Sequence, residues 1–174
     1  MGAPTLETER LFLRAWRDED LDPYARMCAD PEVMLHIGDG STLSREDAWR
    51  SMAMFTGHWV LRGFGTWAVE DRSSGAMVGR IGLHHPSGWP GLEVGWALDR
   101  SVWSRGYATE GGAVALEHAW RELEADRVIS LIAPDNTRSI AVAHRLGERF
   151  ERTIDLRGHD VRVYGIDRPA EPSA

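Results

Sequence analysis

The chain has no lysine, one cysteine and no long apolar run, and each absence excludes a kind of protein or site. Cys28 alone can form neither an internal disulfide nor a cysteine-based zinc cluster. No stretch approaches the roughly 20 apolar residues that a membrane-spanning helix needs. Because all 20 basic residues are arginine, any bound phosphate must be held by guanidinium groups, hydroxyls or backbone N–H groups.

The charge balance is acidic, with a formal net charge of -7 at pH 7. A protein built to hold nucleic acid usually carries a basic stripe, so we expect no nucleic-acid partner. The first residues lack the basic and apolar segments of a secretory signal, and Leu6 stands where a myristoylation motif has Ser or Thr. These features predict a cytoplasmic protein that does not bind a membrane.

Hydrophobic periodicity and turn signals divide the chain into strands and helices. Strands are predicted at residues 10–16, 65–70, 77–84, 92–98, 127–132, 150–154 and 161–166. Helices are predicted at residues 18–29, 45–60, 109–123 and 137–146, with Asp30 and Pro31 stopping the first and Ser44 capping the second. The apolar stripe of the second helix is expected to comprise Trp49, Met52, Ala53, Phe55, Trp59 and Val60.

These elements predict a single domain of the α/β (α+β) class. Its sheet is expected to be mixed, mostly antiparallel and twisted, with about six or seven strands and about four flanking helices. The strand at 92–98, the helix at 109–123 and the strand at 127–132 form one crossover with parallel strands. We expect the domain to span residues 1–168 and to be followed by a flexible tail at 169–174.

One turn, between a predicted strand and a predicted helix, has the composition of a phosphate site. It reads Trp103-Ser104-Arg105-Gly106-Tyr107-Ala108-Thr109-Glu110. Gly106 and Ala108 let a ligand approach the backbone, and the first N–H groups of a helix have no internal acceptor. Such a turn suits a pyrophosphate, although glycine spacing alone is also consistent with an ordinary helix start. A Walker P-loop would need a lysine, and a dinucleotide fingerprint would need a glycine triplet that is absent here.

Four motifs in register resemble the GNAT family of N-acetyltransferases. They are Glu93-Val94-Gly95-Trp96-Ala97-Leu98, the turn at 103–110, Pro134-Asp135-Asn136-Thr137-Arg138-Ser139 and Arg145-Leu146-Gly147. The segments 6–14 and 158–165 resemble the RimJ/RimL branch, so the resemblance covers nearly the whole chain. It implies the GNAT fold, a bacterial protein, and direct transfer of an acetyl group from acetyl-CoA to a primary amine in a ternary complex. The acceptor is a protein N-terminus or a small-molecule amine, and the family also allows a homodimer.

The resemblance further implies which residues bind the acyl donor. The CoA pyrophosphate would meet the backbone of Ser104, Arg105, Gly106, Tyr107, Ala108 and Thr109. The pantetheine arm would pair with Trp96, Ala97 and Leu98. Asn136 would hydrogen-bond the pantetheine or the start of the following helix. Four positions depart from the family pattern: Trp103 replaces Gln or Arg, Ser104 replaces a frequent glycine, Ala143 replaces the tyrosine that often serves as the acid, and Glu148 replaces Phe or Met.

The chemistry requires a neutral amine, a polarised thioester carbonyl and a proton for the leaving thiolate. At pH 7 an alkylamine costs about 4.6 kcal/mol to deprotonate, whereas an α-amino group costs about 1 kcal/mol. Glu93 is the candidate base, acting through a water, and the alternative is a solvated strand glutamate. Ser139 is the candidate acid and a CoA contact, and the alternative is a capping role at the helix start.

The acceptor site is expected between residues 30–43 and 84–91, which border it in the family. His36, His84 and Trp89 are the candidate acceptor contacts. His84 and His85 have no third ligand at a telling spacing, so we expect no metal.

Two other functions are also consistent with the sequence. One is an acyl-CoA-binding sensor without turnover, in which Glu93 has no catalytic part. The other is an acyltransferase that uses another donor such as succinyl-CoA, for which Arg80 would have to face the acyl end.

Overall fold

The computed structural model describes residues 2–170, and an eight-stranded sheet forms its centre. The strands are β1 (Leu6–Glu7), β2 (Leu11–Arg14), β3 (Thr66–Asp71), β4 (Met77–His84), β5 (Glu93–Leu98), β6 (Arg127–Ile132), β7 (Arg149–Leu156) and β8 (His159–Asp167). The helices are α1 (Leu21–Cys28), α2 (Pro31–Met34), α3 (Arg45–Arg62), α4 (Tyr107–Glu122) and α5 (Thr137–Arg145). Short 3-10 turns at Asp18–Asp20 and Arg100–Val102 precede α1 and α4.

The sheet is mixed, as the sequence predicts. Its strand order is β1-β2-β3-β4-β5-β6-β8-β7, and among the described strands only β5 and β6 form a parallel pair. The α4 crossover joins these two strands, which confirms the predicted crossover. Helix α4 packs on β4 and β5, while α1 packs on β4 and on α3 and α3 packs on β3. The α/β class is confirmed, with one more strand and one more helix in the described residues than expected.

The additional helix is α2, which begins where the sequence predicts only a helix end. Helix α1 does end at Cys28, just before Asp30 and Pro31. Asp30 then caps a new turn, because its carboxylate accepts a hydrogen bond from the Glu32 N–H. Pro31 fits the first turn because its missing N–H would have no partner there. A stop signal and a start signal therefore coincide at these two residues.

Helix α3 is capped as predicted, but its buried face differs from the predicted stripe. The Ser44 hydroxyl accepts a hydrogen bond from the Asp47 N–H, and the helix ends at Gly63. The residues it buries are Ala48, Met52, Phe55, His58 and Trp59. Assigning Trp49, Ala53 and Val60 to the core was wrong, since all three are exposed. Each of the three directly follows a buried residue. Its side chain therefore points about 100° around the helix from that buried position.

One core cluster lies between the sheet and α4, where glycine permits close approach, and a second is formed by α1, α2 and α3. A side chain at Gly111 would overlap Ile81 of β4, and one at Gly112 would overlap Leu146 after α5. Because Gly111 has no side chain, α4 approaches β4 closely, and the absence of a side chain at Gly112 lets Leu146 pack against the helix. This contact sets where its first turn lies relative to β5.

Two further expectations concern the chain ends and membranes. Residues 171–174 of the predicted tail lie outside the described residues, and β8 ends at Asp167. The helices of the described part are all too short or too polar to cross a bilayer.

Candidate active site

Strands β5 and β6 separate soon after they meet. Their only register pair within the described residues is Glu93 with Ile129, and the Ile129 N–H donates to the Leu92 carbonyl at 2.8 Å. Beyond this point the two parallel strands share no further pair, and a groove of about 1070 Å³ runs past the second half of β5. Its walls come from β5, the turn before α4, the start of α5 and the segment after α2.

The turn before α4 lies at one end of this groove and presents free backbone donors. Within the described residues, the N–H groups from Ser104 through Thr109 donate to no protein acceptor. Gly106 stands before the helix with φ 83°, and Ser104 has φ 62°, so both occupy the left-handed region. Consecutive N–H groups in such a bend, at a helix N-terminus, form an anion-binding concavity.

Arg10 braces this turn from the first strands of the sheet. Its backbone N–H and its Nε both donate to Glu110, at 2.9 and 2.7 Å, and its Nη1 donates to the Arg105 carbonyl at 2.8 Å. Its guanidinium also lies 4.9 Å from the ring centroid of Tyr107, whose hydroxyl donates to Asp71. Burial opposes ionisation of Glu110, but its hydrogen bonds outweigh that effect and lower its pKa. Arg10 and Glu110 themselves line this end of the groove, so the turn is held by contacts made within the groove wall.

The opposite wall is formed by the first turn of α5. The Asn136 side chain caps this helix by accepting a hydrogen bond from the Ser139 N–H at 3.1 Å. Trp96 of β5 donates its indole N–H to the Ser139 hydroxyl at 3.2 Å. Because the hydroxyl accepts that bond, its own proton remains available to a ligand in the groove.

The Trp103 side chain contacts the last residue of β5. Its indole N–H donates to the Leu98 carbonyl at 2.8 Å, and the Arg138 guanidinium lies 4.3 Å above its ring. The tryptophan that replaces Gln or Arg therefore anchors the turn and places a cation at the rim of the groove. Arg138 was not among the residues that sequence reasoning selected.

A second, smaller cavity of about 240 Å³ lies on the α1 and α3 side of the sheet. Its lining includes side chains from α1, α2, α3, β4 and β5. It shares Ile37 and Ala97 with the groove, so the two cavities meet beside β5. A ligand in each would therefore bring its reacting end to the same short stretch of strand.

Glu93 stands at the start of β5, four residues before Ala97, and lines neither cavity. Its Oε2 accepts the Trp89 indole N–H at 2.6 Å. Burial raises its pKa to about 7, and the Trp89 bond and the charge of Arg80 offset part of that rise. Its Oε1 lies beside Gly95, where a side chain would begin only 3.7 Å away. The carboxylate therefore leans along β5 toward Ala97 and titrates near neutral pH.

His84 is the register partner of Glu93 on β4. It packs edge-on against Trp89 with ring centroids 5.3 Å apart, and it stacks on His58 at 5.2 Å. Burial lowers its pKa to about 4, so it is neutral at pH 7. Its Nδ1 is buried and has no partner among the described residues. Like Glu93, His84 and Trp89 line neither cavity.

Glu148 is a second buried carboxyl close to Glu93. Ser130 Oγ lies 2.8 Å from the Val94 carbonyl and 3.0 Å from Glu148 Oε1. A hydroxyl has one proton and a carbonyl only accepts, so Ser130 donates to Val94 and accepts from a protonated Glu148. Burial, followed by the charge of Glu93, raises the pKa of Glu148 to about 8, which agrees with this assignment. The Ser130 hydroxyl thus ties β6 to β5 where their ladder has ended, and the neutral Glu148 holds that hydroxyl in place.

Comparison with known proteins identifies the family. Residues 10–149 match the family model of the acetyltransferase (GNAT) domain. The chain belongs to the GNAT family. It is 26% identical over 146 residues to the N-acetyltransferase YnaD of Bacillus subtilis, covering 84% of this chain and 83% of that protein.

Solved structures of GNAT proteins share the fold. An acetyltransferase from Agrobacterium tumefaciens matches with a TM-score of 0.85 at 28% identity, over 97% of this chain and 96% of that one. RimL, an α-N-acetyltransferase of a ribosomal protein solved with coenzyme A, matches with a TM-score of 0.79 at 18% identity, over 94% of this chain and 98% of that one. This GNAT protein is therefore an acyltransferase with RimL-like structural relatives, as its motifs predict.

The predicted donor-binding residues come together in the GNAT structure. All of them line the groove except Arg105, whose carbonyl accepts a hydrogen bond from Arg10. Of the predicted acceptor contacts, His36 also lines this groove, with its Nδ1 3.5 Å from Asp135 Oδ1. His84 and Trp89 instead surround Glu93.

Sequence reasoning missed three residues of this site: Arg10, Arg138 and Glu148. Arg10 lies far along the chain from the turn that it braces, so no local pattern reveals the contact. Arg138 is part of a quoted motif, but its stacking on Trp103 depends on the fold. Glu148 was noticed only as a departure from the apolar residue that is usual there, which was the one available signal.

Proposed function

We propose that this protein transfers an acetyl group from acetyl-CoA to a primary amine. The observation that carries the proposal is the row of free N–H groups from Ser104 to Thr109, at one end of a groove that follows β5. A diphosphate is the ligand that such a row accommodates best. The groove then leads an extended arm past Trp96 and Ala97 to the place where the second cavity begins.

The groove and the second cavity support direct attack by the amine. With the pantetheine beside β5, a backbone N–H near Trp96 would polarise the thioester carbonyl, a contribution of about 3 kcal/mol. The acceptor nitrogen reaches the same carbon from the second cavity across Ala97, and the C–N bond forms as the C–S bond breaks. Cys28 lines that cavity, but burial raises the pKa of its thiol, which disfavours an acyl-cysteine route.

Two residues would move the protons. Glu93, with a pKa near 7, takes a proton from the ammonium group of the acceptor through one water, because its carboxylate leans toward Ala97 without lining either cavity. Ser139, whose oxygen is already engaged by Trp96, donates its free hydroxyl proton to the departing thiolate and regains a proton, through water, from the acceptor nitrogen, which loses its second proton as the amide forms. We further expect a cytoplasmic enzyme that needs no metal, and a homodimer stays a prediction from the family.

The test replaces Gly106 by glutamate and measures CoA binding by calorimetry. A carboxylate beside the diphosphate should weaken binding about 10-fold or more, equivalent to about 1.4 kcal/mol. Gly158→Glu is the matched control for the backbone strain, because Gly158 also has positive φ but lies in the β7–β8 turn, with open space where a side chain at Gly106 would begin 3.4 Å from Arg10 Nη2. If both variants bind CoA as the wild type does, the diphosphate site is wrong.

A second assay separates the enzyme from a sensor. The position of Glu93, held by Trp89 outside both cavities, is what favours the sensor. Release of free thiol from acetyl-CoA is followed with a panel of amines for the wild type and Glu93→Gln. Turnover that falls in the variant supports the enzyme, whereas CoA binding without turnover in either protein supports the sensor.

A further inference from the structure

Arg80 is a partly buried cation in the wall of the smaller cavity. It stands on β4 opposite Ala97 of β5, at the point where the two cavities meet. Its guanidinium lies 4.9 Å from the ring centroid of Phe55, which also lines the cavity. The sequence left the direction of this side chain open, and the structure turns it toward the smaller cavity and away from the lining of the groove.

The guanidinium of Arg80 has no anionic partner in residues 2–170, where it enters no salt bridge and no hydrogen bond. Arg14, which is buried in the same sheet, is neutralised in the usual way by ion pairs with Asp20 and Glu70. Partial burial of an unpaired charge is unfavourable. The chain has 27 acidic residues, yet none of those described pairs with Arg80. A negatively charged ligand in the cavity could supply the missing partner.

The register of the sheet places Arg80 on the same face as the candidate base. Arg80 and His84 are four residues apart on β4, and His84 pairs with Glu93 on β5, so all three share one face. Burial is the main cause of both pKa shifts on this face, and the positive charge of Arg80 adds to the lowering at His84 and offsets part of the rise at Glu93. A ligand held by Arg80 therefore extends along this face toward the base.

The remainder of the lining is mainly apolar. It includes Met27, Met34, Leu43 and Phe55. The lining carboxylate, Asp39, is exposed at the rim and accepts a hydrogen bond from the Ser41 N–H. The cavity thus offers one inward cation and an apolar wall.

We propose that Arg80 binds a carboxylate of the acceptor, and that the acceptor is a small amine carrying a carboxylate, in the class of free amino acids. This inference rests on the proposed function. The planar guanidinium can hold a carboxylate through two parallel N–H bonds, and the amine end then points to Ala97 and Glu93. An N-terminal residue of a longer polypeptide has an amide in place of that carboxylate and would leave Arg80 unpaired.

The experiment uses matched pairs of acceptors, L-leucine with L-leucinamide and L-methionine with L-methioninamide. For each protein the ratio of kcat/KM for the acid to kcat/KM for the amide is measured at one pH. Comparing this ratio between variants cancels the different basicities of the amines and any effect on Glu93. In Arg80→Gln the ratio should fall about 10- to 100-fold, the loss expected for a hydrogen-bonded charge pair.

Two further variants make the measurement specific. Arg162→Gln is the matched control, because Arg162 is also partly buried over an aromatic ring but lies on β8. Its ratio should equal that of the wild type. Arg80→Lys keeps the charge but cannot donate two parallel N–H bonds, so its ratio should fall by a smaller factor. It replaces Arg80→Gln if that variant fails to fold.

A binding measurement keeps this inference separable from the proposed function. Thermal unfolding with CoA present is followed with and without each acid and amide. The acids should stabilise the wild type more than the amides do, and Arg80→Gln should remove the difference. If no amine is acetylated but this difference appears, the proposed function fails and the carboxylate site stands.

Two outcomes would overturn the inference. If acetyl transfer proceeds but acids and amides respond equally to Arg80→Gln, Arg80 binds no acceptor carboxylate. If succinyl-CoA is used with neutral amines and Arg80→Gln abolishes that reaction alone, the carboxylate belongs to the donor.

Discussion

The hydrogen bond from Trp89 to Glu93 should set the pH at which the enzyme becomes active. Trp89→Phe keeps an aromatic ring and removes the N–H that donates to Glu93 Oε2 at 2.6 Å. That bond favours the ionised carboxylate, so its loss moves the pKa of Glu93 further upward. A hydrogen bond to a charged group contributes about 1.5–3 kcal/mol, and one pKa unit corresponds to about 1.4 kcal/mol.

The low end of that range applies, because water can replace part of the lost bond. The rise of kcat/KM with pH, centred near pH 7 in the wild type, should move up by about one pH unit. At pH 7 the ionised fraction then falls from about one half to about one tenth, so kcat/KM should fall about fivefold at pH 7 and hardly at pH 9.

The assay is thiol release from acetyl-CoA at a series of pH values, with one amine throughout so that its own titration cancels. Trp49→Phe is the control, because Trp49 is 53% exposed on α3 and distant in sequence from the base. An acid limb that stays in place, or moves to lower pH, in Trp89→Phe would refute Glu93 as the titrating base.

Two other predictions concern the neighbouring groups. Ser139→Ala should lower kcat about 10-fold, because the thiolate loses its proton donor. Ser139→Thr keeps a hydroxyl and should retain most activity. Equal kcat in all three proteins would exclude the acid role. Glu148→Gln removes a carboxyl whose pKa is about 8 in the folded protein, and burial of that group makes folding less favourable as pH rises above its unfolded pKa. The free energy of unfolding of Glu148→Gln relative to wild type should therefore increase by roughly 4 kcal/mol between pH 5 and pH 8. Urea unfolding measures it, with Glu46→Gln as the exposed control. A difference that stays constant with pH would contradict a neutral Glu148.

Much of the fold follows from local signals in the sequence. The strand at Arg127–Ile132 and the hairpin of β3 and β4 are where alternation and turn residues predict them. Ser44 caps α3 as its motif predicts. These features depend on neighbours a few residues away, which is the range that sequence patterns report.

The errors arise where packing between distant segments decides. The buried face of α3 is selected by the sheet and α1, so the exposed Trp49 and Val60 could not be told from core residues. The brace from Arg10 to the turn before α4 joins segments far apart in sequence.

The candidate site was likewise predicted in part. The free N–H groups of the turn and the cap by Asn136 follow from the motifs. The capture of Glu93 by Trp89, outside both cavities, depends on how the loop before β5 folds back. The direction of Arg80 depends on the register of β4, which the sequence left open.

Amide hydrogen exchange at residues 104–109, with and without CoA, tests the central claim most directly. Among residues 2–170 these N–H groups have no protein acceptor, so they should exchange fast in the free protein and slow when a diphosphate accepts their hydrogen bonds. Slowing confined to this turn and to the groove beside β5 is the predicted result. Unchanged exchange at 104–109 under saturating CoA, with protection elsewhere, would contradict the account.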